Sequence, residues 1–486
     1  MSKSAPSGWI KASVIEVTDI KTGKLDANAA NSNGAYPFFT CAEDESRINT
    51  YSFDAEAVLL AGNGFFGVKW YKGKFDAYQR TYVICPVGIN GRFLYYTILW
   101  LIPTISEKSR GSTIKYLRLG DIQDTELLLP PLPEQTRIVA KLEELISDLD
   151  AGVAELKAAQ KKLVQYRQSL LKAAVDGSLT AEWRKNNPPT ETGAELLERI
   201  LKERRTRWEA KQLAKFKEQD KAPPKDWQKK YPSPVEPDTT HLPELPTSWI
   251  WASVDQSTAE SFIGLDRGQE QQSSTAAFGY IKMNNVSMHG NIDLKNITRV
   301  NATPEEVDKY SVALNDVLFN TRNSLELVGK TGLVGTLDGI TLYNNNLMRL
   351  RFDGVLKPAF ACFQMCGPEF RSRLERVKKA TTSVAAVYAK DLFPLAMAIP
   401  PINEQNEILR ILDLAMAGIS TQQFEIERSL KQATAQRQNI FRAAFAGQLV
   451  PQDPNDEPAS VLLERIRAER AAQAEPKARG RKKVAA

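Results

Sequence analysis

The stretch Pro130-Pro131-Leu132-Pro133-Glu134-Gln135 returns 270 residues later as Pro400-Pro401-Ile402-Asn403-Glu404-Gln405. Internal periodicity outranks other signals because it sets the architecture into which every motif must fit. The same shift carries Asp121 onto Asp391, Arg167-Gln168 onto Arg437-Gln438, Ala173-Ala174 onto Ala443-Ala444, Gly177 onto Gly447 and Leu179 onto Leu449. A second match opens each half at a shift of 240: Pro6-Ser7-Gly8-Trp9-Ile10-Lys11-Ala12-Ser13-Val14 against Pro246-Thr247-Ser248-Trp249-Ile250-Trp251-Ala252-Ser253-Val254. A third follows each repeated block, Leu197-Glu198-Arg199-Ile200 against Leu463-Glu464-Arg465-Ile466. One match can be chance; three in the same order are a duplication. The second variable region is the longer by 30 residues, the difference between the two shifts.

Downstream of each Glu-Gln pair the pattern becomes helical. Residues 134–175 contain no proline, and Leu142, Leu149, Leu156, Leu163 and Leu170 recur every seven positions. A second line runs Ile138, Leu145, Gly152, Ala159, Tyr166, Ala173, which completes the a/d seam of a coiled coil. The second copy carries Leu412, Ile419, Ile426, Ala433 and Ile440, beside a more polar line with Gln422, Ser429 and Gln436. Polar seam residues fix register and partner at a cost in stability. Gly177 and Gly447 are the expected helix stops. Helices of this length reach about 60 Å at 1.5 Å per residue. They read either as a hairpin that only packs or as a spacer; paired antiparallel, they set two globular regions at opposite ends with pseudo-twofold symmetry.

At about 150 residues per domain, 486 residues would make three unrelated domains; the duplication replaces that count with two unequal halves. A hydrophobic fraction of 42% with 25% charged residues excludes a wholly disordered, collagenous or membrane-embedded chain. The longest apolar run, Phe93 to Ile102, is about half of what a bilayer needs. Met1 to Trp9 has no signal-peptide core, and four scattered cysteines (Cys41, Cys85, Cys362, Cys366) fit a reducing cytoplasm. A net charge of +6 permits a nucleic-acid partner without requiring one.

Both variable regions read as mixed α/β. Ala57-Val58-Leu59-Leu60 and Asp316-Val317-Leu318-Phe319 are buried strands, each running into a polar loop, Gly62-Asn63-Gly64 and Asn320-Thr321-Arg322-Asn323. Tyr82-Val83-Ile84 and Leu347-Met348-Arg349-Leu350 close the core, followed by apolar helices at 93–101 and 359–365. Three motifs mislead. Gly62-Asn63-Gly64-Phe65-Phe66-Gly67 fits G-x-G-x-x-G, but strand sequence follows where a dinucleotide site needs a helix. Gly329-Lys330-Thr331 resembles a P-loop end, but Ser324 stands where the leading glycine belongs. Asn187-Pro188-Pro189-Thr190 is one residue from an adenine-methyltransferase motif, but Thr190 cannot stack on a flipped base. His241 and His289 have no partner pattern, and Cys362 and Cys366 read as core packing. No catalytic or metal site is expected.

Duplex DNA is held by cations on phosphates and read by amide or guanidinium groups on base edges. The first region offers Asn63, Lys69, Lys72, Lys74, Gln79, Arg80 and Lys115, interleaved with Trp70, Tyr71 and Tyr78. The second offers Asn320, Arg322, Asn323, Lys330, Asn344, Asn345 and Asn346; Lys379 with Thr382-Ser383 answers Ser112-Thr113 with Lys115. Between the halves, 194–219 is a charged helix and 221–246 a proline-rich irregular stretch. The basic tail, Lys477 to Lys483, adds non-specific phosphate attraction.

The tryptophan openings, the Pro-Pro-x-x-Glu-Gln modules and the paired long helices resemble the DNA-specificity subunit of type I restriction–modification systems. That resemblance implies an α+β chain with two pseudo-symmetric mixed α/β target-recognition domains joined by two long antiparallel coiled-coil helices. The divisions are 1–130 for the first recognition domain, 131–178 for its helix module and 179–245 for the linker. Then come 246–400 for the second domain, 401–450 for its module and 451–486 for a C-terminal helix and basic tail. It further implies a non-catalytic subunit, each recognition domain reading half of a bipartite site in double-stranded DNA. Glu134, Gln135, Glu404 and Gln405 belong to the conserved module, structural and methyltransferase-facing. Two methyltransferase subunits bring S-adenosylmethionine, restriction/translocase subunits bring ATP and Mg, and this chain binds no cofactor and no membrane. The competing readings are a self-contained methyltransferase or nuclease, and a coiled-coil scaffold without a DNA role.

Overall fold

A computed structural model of the chain describes residues 6–352, 354–382 and 384–474; the basic tail lies outside them. The chain forms two compact units; one is a continuous stretch of sequence and the other is assembled from both ends of it. Unit 1 joins residues 1–158 to 426–486, and unit 2 is 159–425. The boundaries fall inside the two long helices, Leu132–Asp176 and Ile402–Phe445, so each unit owns part of both.

Unit 1 contains a six-stranded sheet in the order Thr18–Thr22, Thr81–Pro86, Phe53–Ala61, Val68–Ala77, Tyr36–Phe39, Ser46–Ile48. All neighbours are antiparallel except Tyr36–Phe39 with Val68–Ala77. The expected core strands pair directly, Leu59 opposite Val83. The apolar helix is Gly91–Glu107, capped by the Asn90 side chain, which accepts from the Arg92 and Phe93 amides. Unit 2 has a four-stranded sheet ordered Thr258–Ile263, Leu347–Phe352, Val317–Asn320, Thr331–Leu333, and a three-stranded sheet of Thr298–Val300, Phe278–Ile281, Thr341–Tyr343. Its apolar helix is Pro358–Cys366, where Cys362 is buried in the core. Arg349 is fully buried because Glu260 (3.1 Å) and Asp316 (4.0 Å) meet it from neighbouring elements.

The three misleading motifs resolve as irregular backbone. Strand Val68–Ala77 follows the glycine loop, Thr331 opens a strand, and Asn187-Pro188-Pro189 ends the short helix Ala181–Asn186. In the linker, Gly193–Glu218 is the charged helix, and Trp208 stacks on Trp227 at 5.9 Å. Within unit 1 the long helices run antiparallel: Arg437 pairs with Asp150, and Arg137 near the start of the first helix pairs with Asp456, past the end of the second, at 2.6 Å. Within unit 2, Arg167 reaches Met416 at 3.1 Å, and Arg184, past the end of the first long helix, reaches Glu404 at the start of the second at 2.8 Å, the same sense. The leucine line is the covered one. Leu142 and Leu170 are buried and Leu149, Leu156 and Leu163 half-buried, whereas Gly152 and Tyr166 of the second line are exposed. No helix among the described residues is long and apolar enough to cross a membrane.

Candidate nucleic-acid interface

The repeated motifs, far apart in sequence, assemble into one junction in each unit. Trp9 Nε1 donates to Glu134 Oε2 at 3.0 Å, and Trp249 Nε1 donates to Glu404 Oε2 at 2.8 Å. Gln135 Oε1 accepts from the Asn90 amide (2.9 Å) while its Nε2 donates to Pro130 O (3.0 Å). Gln405 repeats this with the Lys357 amide (2.8 Å) and Pro400 O (2.9 Å). The glutamine thereby ties the start of the apolar helix to the start of the long one. The opening strand, Ile10–Ser13 or Ile250–Ser253, pairs with the strand before the Pro-Pro, Ile10 opposite Leu129 and Ile250 opposite Ile399. The junction closes on the glycine that ends the other long helix. A Cβ on Gly447 would meet Pro6 at 2.5 Å, and one on Gly177 would meet Pro246 at 2.5 Å; both glycines have positive φ, which favours glycine again. Glu134, Gln135, Glu404 and Gln405 are at most 2% exposed, so their work is internal to the unit.

The two junctions differ electrostatically. Glu404 Oε1 accepts from Thr180 Oγ1 (2.7 Å) and Arg184 Nε (2.8 Å). Glu134 Oε1 is buried with no hydrogen-bond partner. Burial pushes the Glu134 carboxyl above its ordinary range, only partly offset by Trp9 and Arg137.

Each unit that holds a junction also holds one of the polar loops. In unit 1, Gly62 N donates to Arg80 O and Gly64 N to Lys115 O (both 2.8 Å), and Asn63 bridges to Tyr116, which bridges to Arg110. Asn63, Gln79, Arg80 and Lys115 are thus drawn into one loop cluster, the last three exposed. Lys69 is close by, donating to Ala42 O and Glu43 O and lining an apolar cavity of about 610 Å³ with Phe39, Phe65 and Phe66. Lys72 and Lys74 lie further along the strand with side chains on its other face. Lys72 pairs with Glu56 at 3.6 Å, and Lys74 sits over the Tyr51 ring, whose hydroxyl holds it above its ordinary pKa.

In unit 2 the asparagines form a lattice. Asn320 is fully buried and donates to Arg322 O and Asn346 O (both 3.0 Å). Asn323 donates to Asn320 Oδ1 (2.9 Å), the Asn345 amide to Leu265 O (3.1 Å) and the Asn346 amide to Asn344 Oδ1 (2.9 Å). Lys330 is buried and donates to Met283 O at 2.6 Å; burial, with Arg371 nearby, pushes it below the ordinary lysine range. Asn320 and Lys330 therefore hold the loop from inside, because a buried donor takes the carbonyls around it. Arg322 is exposed, Asn323, Asn345 and Asn346 half-buried.

A hairpin flanks each loop, and the sequence pattern marks only part of it. Arg110 exchanges two backbone hydrogen bonds with Tyr116, and Lys379–Ala380 pairs with Ala385–Ala386, which pairs in turn with Arg322–Asn323. Arg110 bonds Asp121 at 2.7 Å, and Lys379 lies 3.7 Å from Asp391. Burial alone would raise Asp121, but Arg110 and the Arg118 amide hold its carboxyl below the ordinary range. The repeat of Asp121 as Asp391 was the available signal for Arg110. No group of three His, Cys, Asp or Glu able to hold a metal exists among the described residues.

Comparison with known proteins points the same way. Residues 6–158 match the family described as type I restriction modification DNA specificity domain. The chain is 32% identical to the type I restriction enzyme EcoDI specificity subunit of Escherichia coli, over 98% of both proteins. It is 26% identical to the EcoKI specificity subunit of Escherichia coli strain K12, over 78% of this chain and 71% of that one. A chain from a solved type I R-M system shares the fold at a TM-score of 0.60 and 16% identity, covering 92% of this chain and all of that one.

Proposed function

The chain belongs to the specificity subunits of type I restriction–modification systems, which are non-catalytic, and we propose that its two units each read one half of a bipartite site in double-stranded DNA. The observation carrying this is that each unit closed by a Trp–Glu–Gln junction also pairs a polar loop with a hairpin that bears basic residues. In the first half the readers are Asn63, Gln79 and Arg80, with Lys69 and Lys115 on phosphates and Lys72 and Lys74 as outer phosphate contacts. In the second, Arg322, Asn323, Asn345 and Asn346 read, while Asn320 and Lys330 fix the loop that presents them. The paired helices space the halves and dock two methyltransferase subunits, which bring S-adenosylmethionine. Restriction/translocase subunits bring ATP and Mg, and the assembly acts in the cytoplasm.

Methylome sequencing of cells carrying the chain with its methyltransferase tests this: a bipartite modified motif supports it, and a modified motif without two halves overturns it. Arg80→Ala and Arg322→Ala separate the contact types. Loss of a base contact costs about 1–3 kcal/mol and relaxes one half-motif; loss of a phosphate contact weakens all sequences evenly and lowers the salt slope by about one.

A further inference from the structure

The two hairpins share more than position. Residues 108–120 contain Lys108, Arg110, Lys115 and Arg118 and no acid; residues 376–390 contain Arg376, Lys378, Lys379 and Lys390 and no acid. Each stretch is bounded by acids, Glu107 and Asp121 or Glu375 and Asp391; the hairpins themselves carry Arg110 and Lys115 in unit 1 and Lys379 in unit 2, while Lys108 and Arg118 cap adjoining helices, Arg376 and Lys390 lie on helices, and the Lys378 side chain is buried against Glu375. At each tip stands a β-branched apolar residue, Ile114 at 60% exposure and Val384 at 49%, 270 residues apart. Gly111 takes a φ of +101° and a Cβ there would meet Ile114 O at 2.2 Å, so the turn that carries Ile114 requires glycine at 111. In unit 2, Thr381 donates to Val384 O through both its amide (2.8 Å) and its hydroxyl (3.0 Å).

An exposed apolar side chain at a turn, with a lysine beside it, gains by leaving water when a partner covers it. Duplex DNA meets both halves of that surface: phosphates take the cations, and base edges or base steps in a groove take the apolar tip. We propose that Ile114 and Val384 are specificity-determining tips that enter a DNA groove and contact bases, one in each half-site, while Lys115 and Lys379 on the same hairpins hold the phosphates. This rests on the reading of the two units as DNA readers, and it adds an apolar contact to a set otherwise made of amides and guanidinium groups.

The test uses the full chain co-expressed with its methyltransferase, with methylome sequencing of cells carrying wild type, Ile114→Ser, Val384→Ser, or the conservative Ile114→Val and Val384→Ile. Ile114→Ser should relax one half-motif and Val384→Ser the other, and the conservative variants should keep the motif. On duplexes bearing the wild-type motif, each serine variant should lose roughly tenfold in affinity, the size of one base contact, with scrambled duplex unchanged. Serine variants that leave both half-motifs and the affinity unchanged overturn the proposal, as does one that loosens both halves equally. A variant that instead weakens assembly with the methyltransferase assigns the tip to a protein partner and also overturns it. A wild-type system without a bipartite motif fails the underlying reading instead, so the two failures are distinct.

Discussion

Glu134 and Glu404 occupy equivalent places with different surroundings. Glu404 is held by Trp249, Thr180 and Arg184, whereas Glu134 has Trp9 alone on one oxygen and nothing on the other. Glu404→Gln leaves Arg184 without its carboxylate and should cost unit 2 about 2–4 kcal/mol. Glu134→Gln keeps an acceptor for Trp9 and removes a buried charge, so it should be neutral or stabilising by about 1 kcal/mol. Because the fold raises the Glu134 pKa above its ordinary value, it favours the protonated form. This group's favourable contribution is complete at pH below the ordinary glutamate value and is lost as pH climbs through the raised one. Denaturation curves at pH 5 and pH 8 should show Glu134→Gln gaining on wild type at the higher pH. A gain that shrinks with rising pH would count against the buried charge.

At the scale of elements, the long helices were legible because a seven-residue leucine spacing survives any change in what the globular regions do. How much of that seam is covered was not legible. The line of Leu142 to Leu170 is buried at its ends and half-buried between, and the second line faces solvent at Gly152 and Tyr166. A Cβ at Gly152 meets nothing within 4 Å. Gly152→Ala should therefore stabilise the helix by about 0.5–1 kcal/mol, seen as a higher melting temperature by circular dichroism. Leu142→Ala, in the buried end, should cost about 2–5 kcal/mol and Leu156→Ala clearly less. The hairpins were harder to see, since bridges two residues long leave almost no periodicity; only their acid-free composition marks them.

For the molecule as a whole, the decisive feature is how the chain closes. The helix Ala459–Ala474 packs on unit 1, where Ala459 N donates to Gly8 O at 2.9 Å and Arg470 caps Ile15 O and Thr18 O. The helix Gly193–Glu218 does the same for unit 2, with Gly193 N donating to Ser248 O at 2.8 Å. Each repeated Leu-Glu-Arg-Ile thus serves the recognition domain of the other half of the sequence. Removing residues 451–486 strips Ala459, Leu462, Leu463 and Ile466 from the unit 1 core, at about 5 kcal/mol or more. Hydrogen exchange on the truncated chain should show protection lost in strands Ile10–Ser13 and Glu126–Leu129 but kept in Ile250–Ser253. Equal loss in both would mean the units do not fold independently.

The amino-acid order by itself determined the duplication, the two long helices, the core strands and the absence of a nucleotide loop, because these are written in local spacing and repeat distance. It also marked Trp9, Glu134, Gln135 and their counterparts without revealing why two different shifts recur. Tertiary structure decided that: the tryptophan of one shift hydrogen-bonds the glutamate of the other, and the variable region between them changes length freely. It likewise moved Asn320 and Lys330 inside the loop. Burial and the competition for carbonyl acceptors are set by neighbours distant in sequence, and no local pattern records them.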